Sequence, residues 1–139
     1  MIKKITVIGS GLMGSAIAAH FANVGCHVNL LDIVDKTNKN RSNISNKAIK
    51  NLLKIKPSPF TLKSNINLIK SGNIEDDLSI INDSDWIVEA IIENLNIKKE
   101  LYKKIDKIMQ NDIIISSNTS TIPINQLTEG LSSKFKKIF

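Results

Sequence analysis

With 139 residues, 42% of them hydrophobic, the chain is long enough for one domain with a real core. No apolar run reaches the roughly 20 residues of a membrane span, and a single cysteine, Cys26, excludes an internal disulfide framework or a cysteine-cluster metal site. The net charge of +6 comes from scattered lysines and one arginine, Arg41; with 4% aromatic residues the bidentate and stacking groups of base readout are lacking, so neither nucleic acid nor a membrane is expected as a partner.

Residues 1–8 carry Lys3 and Lys4 but run into glycines rather than a long apolar segment, so a secretory signal is not expected and the compartment expected is the cytoplasm. "IKKITVIG" reads as a short buried strand with Ile2, Ile5, Val7 and Ile8 apolar. Met13, Ile17, His20/Phe21 and Val24 then recur at spacings of three and four, which predicts a helix buried on that face and stopped by Gly25. "HVNLLDI", residues 27–33, is a second strand, so the chain opens with a β-α-β unit whose strands are parallel and joined by a right-handed crossover.

Ile44, Ala48, Ile49, Leu52 and Leu53 predict a helix over 42–54, ended by the prolines of "KPSPF". "NINLIKSGN" suggests a short strand and a turn at Gly72, and "IEDDLSIIN" one or two helical turns. "DWIVEAII" (85–92) is a core strand; "NLNIKKELYKKIDKIMQ" is an amphipathic helix with Ile97, Leu101, Ile105 and Ile108 on one stripe; "DIIISSN" is another strand. "KKIF" reads as the start of a next strand, leaving a partly formed sheet edge with Ile138 and Phe139 exposed, and so self-association or pairing with a further portion is expected. Alternating strands and helices predict an α/β fold, a doubly wound and mostly parallel sheet over 1–139. Ligands of such sheets bind beyond the carboxyl ends of the strands, here Gly9–Gly14, Asp32, Glu89–Glu93 and Ser116–Ser120.

The turn "GSGLMG" has the spacing of a dinucleotide-binding loop. It follows a strand, opens a helix, and is followed by an acidic residue, Asp32, at the end of the next strand. Gly9 permits the tight turn, Gly11 the approach of backbone to a pyrophosphate, and Gly14 close helix–strand packing, while Ser10, Leu12 and Met13 complete the loop at the helix N-terminus. Asp32 would accept from an adenosine ribose diol. Ile33, Val34 and Asp35 offer no cation for a 2′-phosphate, so NAD is favoured over NADP.

"VIGSGLMGSAIAAHFANVG", "GNIEDDL", "DWIVEAIIENLNIKKELY", "IISSNTSTIPI" and "LTEGLSSKF" together resemble the NAD-binding domain of L-3-hydroxyacyl-CoA dehydrogenases, the enzymes of fatty-acid β-oxidation. The resemblance covers nearly the whole chain and is weakest over 36–65. It implies a Rossmann-type domain, NAD as cofactor and a 3-hydroxyacyl-CoA as substrate. It also implies that Glu93 and Lys98 contact NAD, and that Ser120, in a loop shaped by Asn118, lies near both the nicotinamide and the substrate hydroxyl. Taken alone, Glu93 reads equally as a helix N-terminal acid and Lys98 as an exposed helix residue.

The family's general base is a histidine in an "HFFNP"-like motif, and this sequence contains none. His20 and His27 are read as structural or solvated, Cys26 as no nucleophile, and no metal site is expected. The resemblance thus implies an NAD-binding domain incomplete at its C-terminal end, without the helical substrate and dimerisation domain, and inactive by itself. Three other functions fit parts of the sequence: a dehydrogenase of another small hydroxy acid, a non-catalytic NAD-binding module, and a basic nucleic-acid-binding protein.

Overall fold

The computed structural model describes residues 1–139. Its strands are β1 (Lys4–Ile8), β2 (His27–Asp32), β3 (Ile69–Asn73), β4 (Trp86–Glu89) and β5 (Ile114–Ser117). They form one sheet in the order β3-β2-β1-β4-β5, with every neighbouring pair parallel. The chain winds outward from β1 to β3, returns to the other side of β1, and winds outward again. The fold is the doubly wound α/β, Rossmann-type architecture, and its switch point lies between β1 and β4.

Two cores sandwich the sheet. Ile5, Val7, Val28, Leu30, Ile69 and Val88 pack beneath α1 (Leu12–Asn23) and α2 (Asn43–Leu52). Ile8, Leu31, Ile87 and Ile115 pack beneath α3 (Leu95–Ile108), α4 (Ile124–Leu127), α5 (Ser133–Ile138) and a 3-10 helix over Leu78–Asp83. Successive β1 residues alternate between the cores, as a pleated strand covered on both faces requires.

The face that α1 buries differs from the one its large apolar residues mark. Gly14, Ser15, Ala18, Ala19 and Ala22 face the sheet, whereas Met13, His20 and Val24 are exposed and Ile17 and Phe21 half-buried. A glycine-to-backbone approach at the start of the helix brings its axis too near the sheet for anything but small side chains. Gly25 does end this helix, at a φ of 84°.

Gly72 is a strand residue, not a turn: a Cβ there would lie 2.6 Å from Leu31 Cδ2, so it supplies room for a neighbour's side chain. The preceding Lys63–Leu68 is a 3-10 helix. The fourth strand ends at Glu89 because Ala90 must pass against Gly9. "KKIF" is likewise not a strand: it completes α5, capped by Ser132, whose Oγ accepts from Phe135 N at 3.1 Å. Phe135 is buried, and Phe139 packs edge-on against Tyr102 with ring centroids 5.1 Å apart, so Ile138 and Phe139 are half-buried rather than an exposed edge. No helix is long and apolar enough to cross a membrane.

Candidate functional site

The glycine turn closes the carboxyl end of β1 against that of β4. Gly9 adopts a φ of 105°, which only glycine reaches without strain, and its N–H donates to Leu31 O at 2.8 Å. A Cβ on Gly9 would lie 2.4 Å from Ala90 O, and one on Gly14 1.8 Å from Gly9 O. Gly11 differs: a Cβ there meets nothing within 4 Å, because it would point into an open cleft. Gly11 is also the N-cap of α1 and makes no side-chain cap, so the first-turn amides have no protein side chain over them. Such an end binds anions through its free N–H groups and partial positive charge. The cradle therefore fits a pyrophosphate.

The cleft has a volume of about 800 Å³ and runs along the strand ends past Gly9, Leu12, Met13, Asp32, Glu93 and Ser120. At one end, Asp32 Oδ2 accepts from Ser10 N at 2.6 Å and Ser10 Oγ at 2.5 Å, and Oδ1 accepts from Ile33 N at 2.7 Å. Ser10 is thus turned onto Asp32 and fixes its carboxylate. Ile33 and Ile74 add apolar surface beside it.

At the other end Glu93, Asn118 and Ser120 come together across β4 and β5. Glu93 Oε1 accepts from Thr119 Oγ1 at 2.8 Å and Oε2 from Ser120 N at 3.1 Å. These bonds, helped by Lys98, hold its carboxyl below the usual carboxylate range. A group with a depressed folded pKa anchors the loop above its unfolded pKa and releases it as pH falls through the folded one. The Ser120 amide resonance is therefore expected to stay put as pH falls through the ordinary glutamate range and to shift only below it, which an NMR titration reads directly. A midpoint at or above the ordinary glutamate value would contradict the anchor.

Lys98 lies beneath the cleft, not in it. It is 1% exposed and its Nζ donates to Glu89 Oε1 and Oε2 at 2.7 and 2.9 Å, with Glu93 Oε1 at 3.7 Å. Glu89 is fully buried and also accepts from Ile91 N, Tyr102 Oη and Ser117 Oγ. Burial, followed by the neighbouring Glu89 charge, pushes the Tyr102 phenol upward, so it remains a donor. Removing one member of a buried ion pair of this kind costs about 3–5 kcal/mol. Glu89, Tyr102 and Ser117 received no individual role in the sequence reading. The available signal was a lone carboxylate inside the apolar run "WIVEAII", a charge that burial obliges to find a partner. His20 and His27 are exposed and line no part of this cleft, and Cys26 is buried away from it.

Residues 4–139 match the family model described as 3-hydroxyacyl-CoA dehydrogenase, NAD binding domain. A probable 3-hydroxyacyl-CoA dehydrogenase of Deinococcus radiodurans is 44% identical over 138 residues, 99% of this chain and 40% of that protein. A putative fatty acid oxidation complex trifunctional enzyme of Rickettsia felis is 46% identical, over 99% of this chain and 19% of that one. The chain thus spans well under half the length of these relatives. Among solved structures, a 3-hydroxybutyryl-CoA dehydrogenase from Escherichia coli shares the fold, with a TM-score of 0.76 at 22% identity over 96% of this chain and 28% of that one. An (S)-3-hydroxybutyryl-CoA dehydrogenase from Ralstonia eutropha gives 0.70 at 28% identity, over 96% and 47%. NAD is the cofactor that the matched domain is named for, and a glycine cradle with an acidic residue one strand later is built for it. The chain belongs to the NAD-binding domain family of the 3-hydroxyacyl-CoA dehydrogenases.

Proposed function

We propose that the chain is the cofactor half of an L-3-hydroxyacyl-CoA dehydrogenase, with the acyl-CoA site and general base supplied by the further portion that its relatives carry. The observation that carries this reading is the cleft itself: an open helix N-terminus at Gly11, Asp32 at one end, and Glu93 and Ser120 at the other. In it the Gly9–Gly14 turn, with Leu12 and Met13, holds the pyrophosphate. Asp32, oriented by Ser10, accepts from one hydroxyl of the adenosine ribose diol through the Oδ1 lone pair that its three present bonds leave free. Ser120 is placed by Glu93 at the nicotinamide end, where it orients a substrate hydroxyl. When bound, NAD supplies the hydride acceptor for oxidation of the alcohol at C3.

The hydroxyl proton needs a base near neutral pKa at hydrogen-bond reach. No histidine lines the cleft, so the chain by itself binds without turning over. NADH fluorescence titration is expected to show saturable binding, weakened at least about tenfold by Asp32→Ala, and added acetoacetyl-CoA to cause no NADH consumption. A folded chain that does not bind NADH would overturn the reading, and turnover by the isolated chain would overturn the division of labour.

A further inference from the structure

Two arms, one of hydrogen bonds and one that crosses an ion-pair contact, run from the buried Glu89 carboxylate to the loop that carries Ser120. The first is short: Ser117 Oγ donates to Glu89 Oε2 at 2.6 Å and accepts from Thr119 N at 3.1 Å. The second passes through Lys98, which sits on Glu89 at 2.7 Å and faces Glu93 at 3.7 Å, and Glu93 then receives the Thr119 hydroxyl and the Ser120 amide. Both arms end on Thr119, and the second also reaches Ser120. Below them, the Tyr102 hydroxyl and the Ile91 amide fix the carboxylate to α3 and to the loop that follows β4.

We infer that Glu89 is the positioning residue for the nicotinamide end of the cleft, acting on Ser120 and Glu93 without touching the ligand. This rests on the dinucleotide reading above. Its charge is what matters. Lys98 is fully buried between two carboxylates, one of them fully buried and the other, Glu93, partly exposed at the cleft. While Glu89 holds the ammonium bidentately, Glu93 stays free for the loop. A neutral side chain in its place leaves the ammonium with Glu93 as its one anionic partner, and the stronger charge-assisted bond draws Glu93 away from Thr119 and Ser120. The adenosine end, bound at Gly9–Gly14 and Asp32, shares none of these bonds.

The test compares NADH with ADP-ribose, which keeps the adenosine and pyrophosphate but lacks nicotinamide, on the full chain and on Glu89→Gln. The NADH Kd is expected to rise about tenfold while that of ADP-ribose changes less than about twofold, and the Thr119 and Ser120 amide resonances are expected to move in the nucleotide-free protein. A merely structural role would weaken both ligands alike. Because Glu89→Gln strands a buried cation, the double variant Glu89→Gln/Lys98→Met removes both charges and preserves the fold if the single variant does not; with no ammonium left to draw Glu93 from the loop, it is expected to regain the wild-type ratio of affinities, and a selective loss in it overturns the role given to the charge. A folded Glu89→Gln chain with the wild-type ratio of affinities and unmoved amides overturns the inference. A wild-type chain that binds neither ligand sinks the dinucleotide reading, and the amide shifts then still decide whether Glu89 holds the loop.

Discussion

A Gly14→Val chain is expected to lose both nucleotide binding and much of its stability, whereas Gly11→Ala is expected to lose binding alone. The two glycines lie three residues apart in one turn, but their empty Cβ positions face different things. At Gly14 the added carbon falls 1.8 Å from Gly9 O and 3.4 Å from Ala90 Cβ. Backbone, not a pliable side chain, would have to give way, and Gly9 is itself pressed against Ala90 O. Overpacking at such a site costs about 3 kcal/mol or more, a large share of the 5–15 kcal/mol that holds a typical domain together. Thermal melts are expected to show a fall of roughly 10 °C. At Gly11 nothing lies within 4 Å, so the melt is expected to match wild type, while the methyl group occupies the pyrophosphate's place and NADH affinity drops at least about tenfold. Equal melts for both variants would show that the contact at Gly14 relaxes freely.

Phe135→Ala is expected to be among the most damaging substitutions outside the glycine turn. The ring is fully buried and stands 5.7 Å from that of Tyr102 and 6.0 Å from that of Phe139, in the core beneath α3. Removing a buried phenylalanine costs about 3–5 kcal/mol. Tyr102 also donates to Glu89, so loosening this cluster reaches the ion pair below the cleft. Urea unfolding is expected to show the midpoint fall with an unchanged slope. A loss under about 1 kcal/mol would mean that the last residues contribute little to the fold.

The order and type of most elements were legible in the sequence because both cores depend on simple periods. β1, β2, β4 and β5 are short apolar runs between turn residues, and α3 repeats its apolar residues at helical spacing. The turn and Asp32 were legible because each glycine has its own steric reason. What was misread turned on close approach. The buried face of α1 is marked by small residues and not by large ones, since the contact at Gly14 leaves no room beneath it. Gly72 looked like a turn for the same reason, and "KKIF" looked like a strand because its β-branched and aromatic residues hide a helix cap at Ser132. Lys98 and Glu89 lie nine positions apart, and no local pattern says that one buries itself on the other.

The sheet order has a consequence for how the chain is made. Of the five strands β1 leaves the ribosome before the others, and it is the central strand of the finished sheet, flanked by β2 and β4. Its first partner follows at once, but its second begins at Trp86, about fifty residues after β2 ends at Asp32. At translation speeds of about 5–20 residues per second, that edge of β1 waits roughly 3–10 s for its neighbour. During that interval the nascent chain presents an unpaired row of backbone groups set with Ile5, Val7 and Ile8, the kind of edge that chaperones shield and other nascent chains pair with.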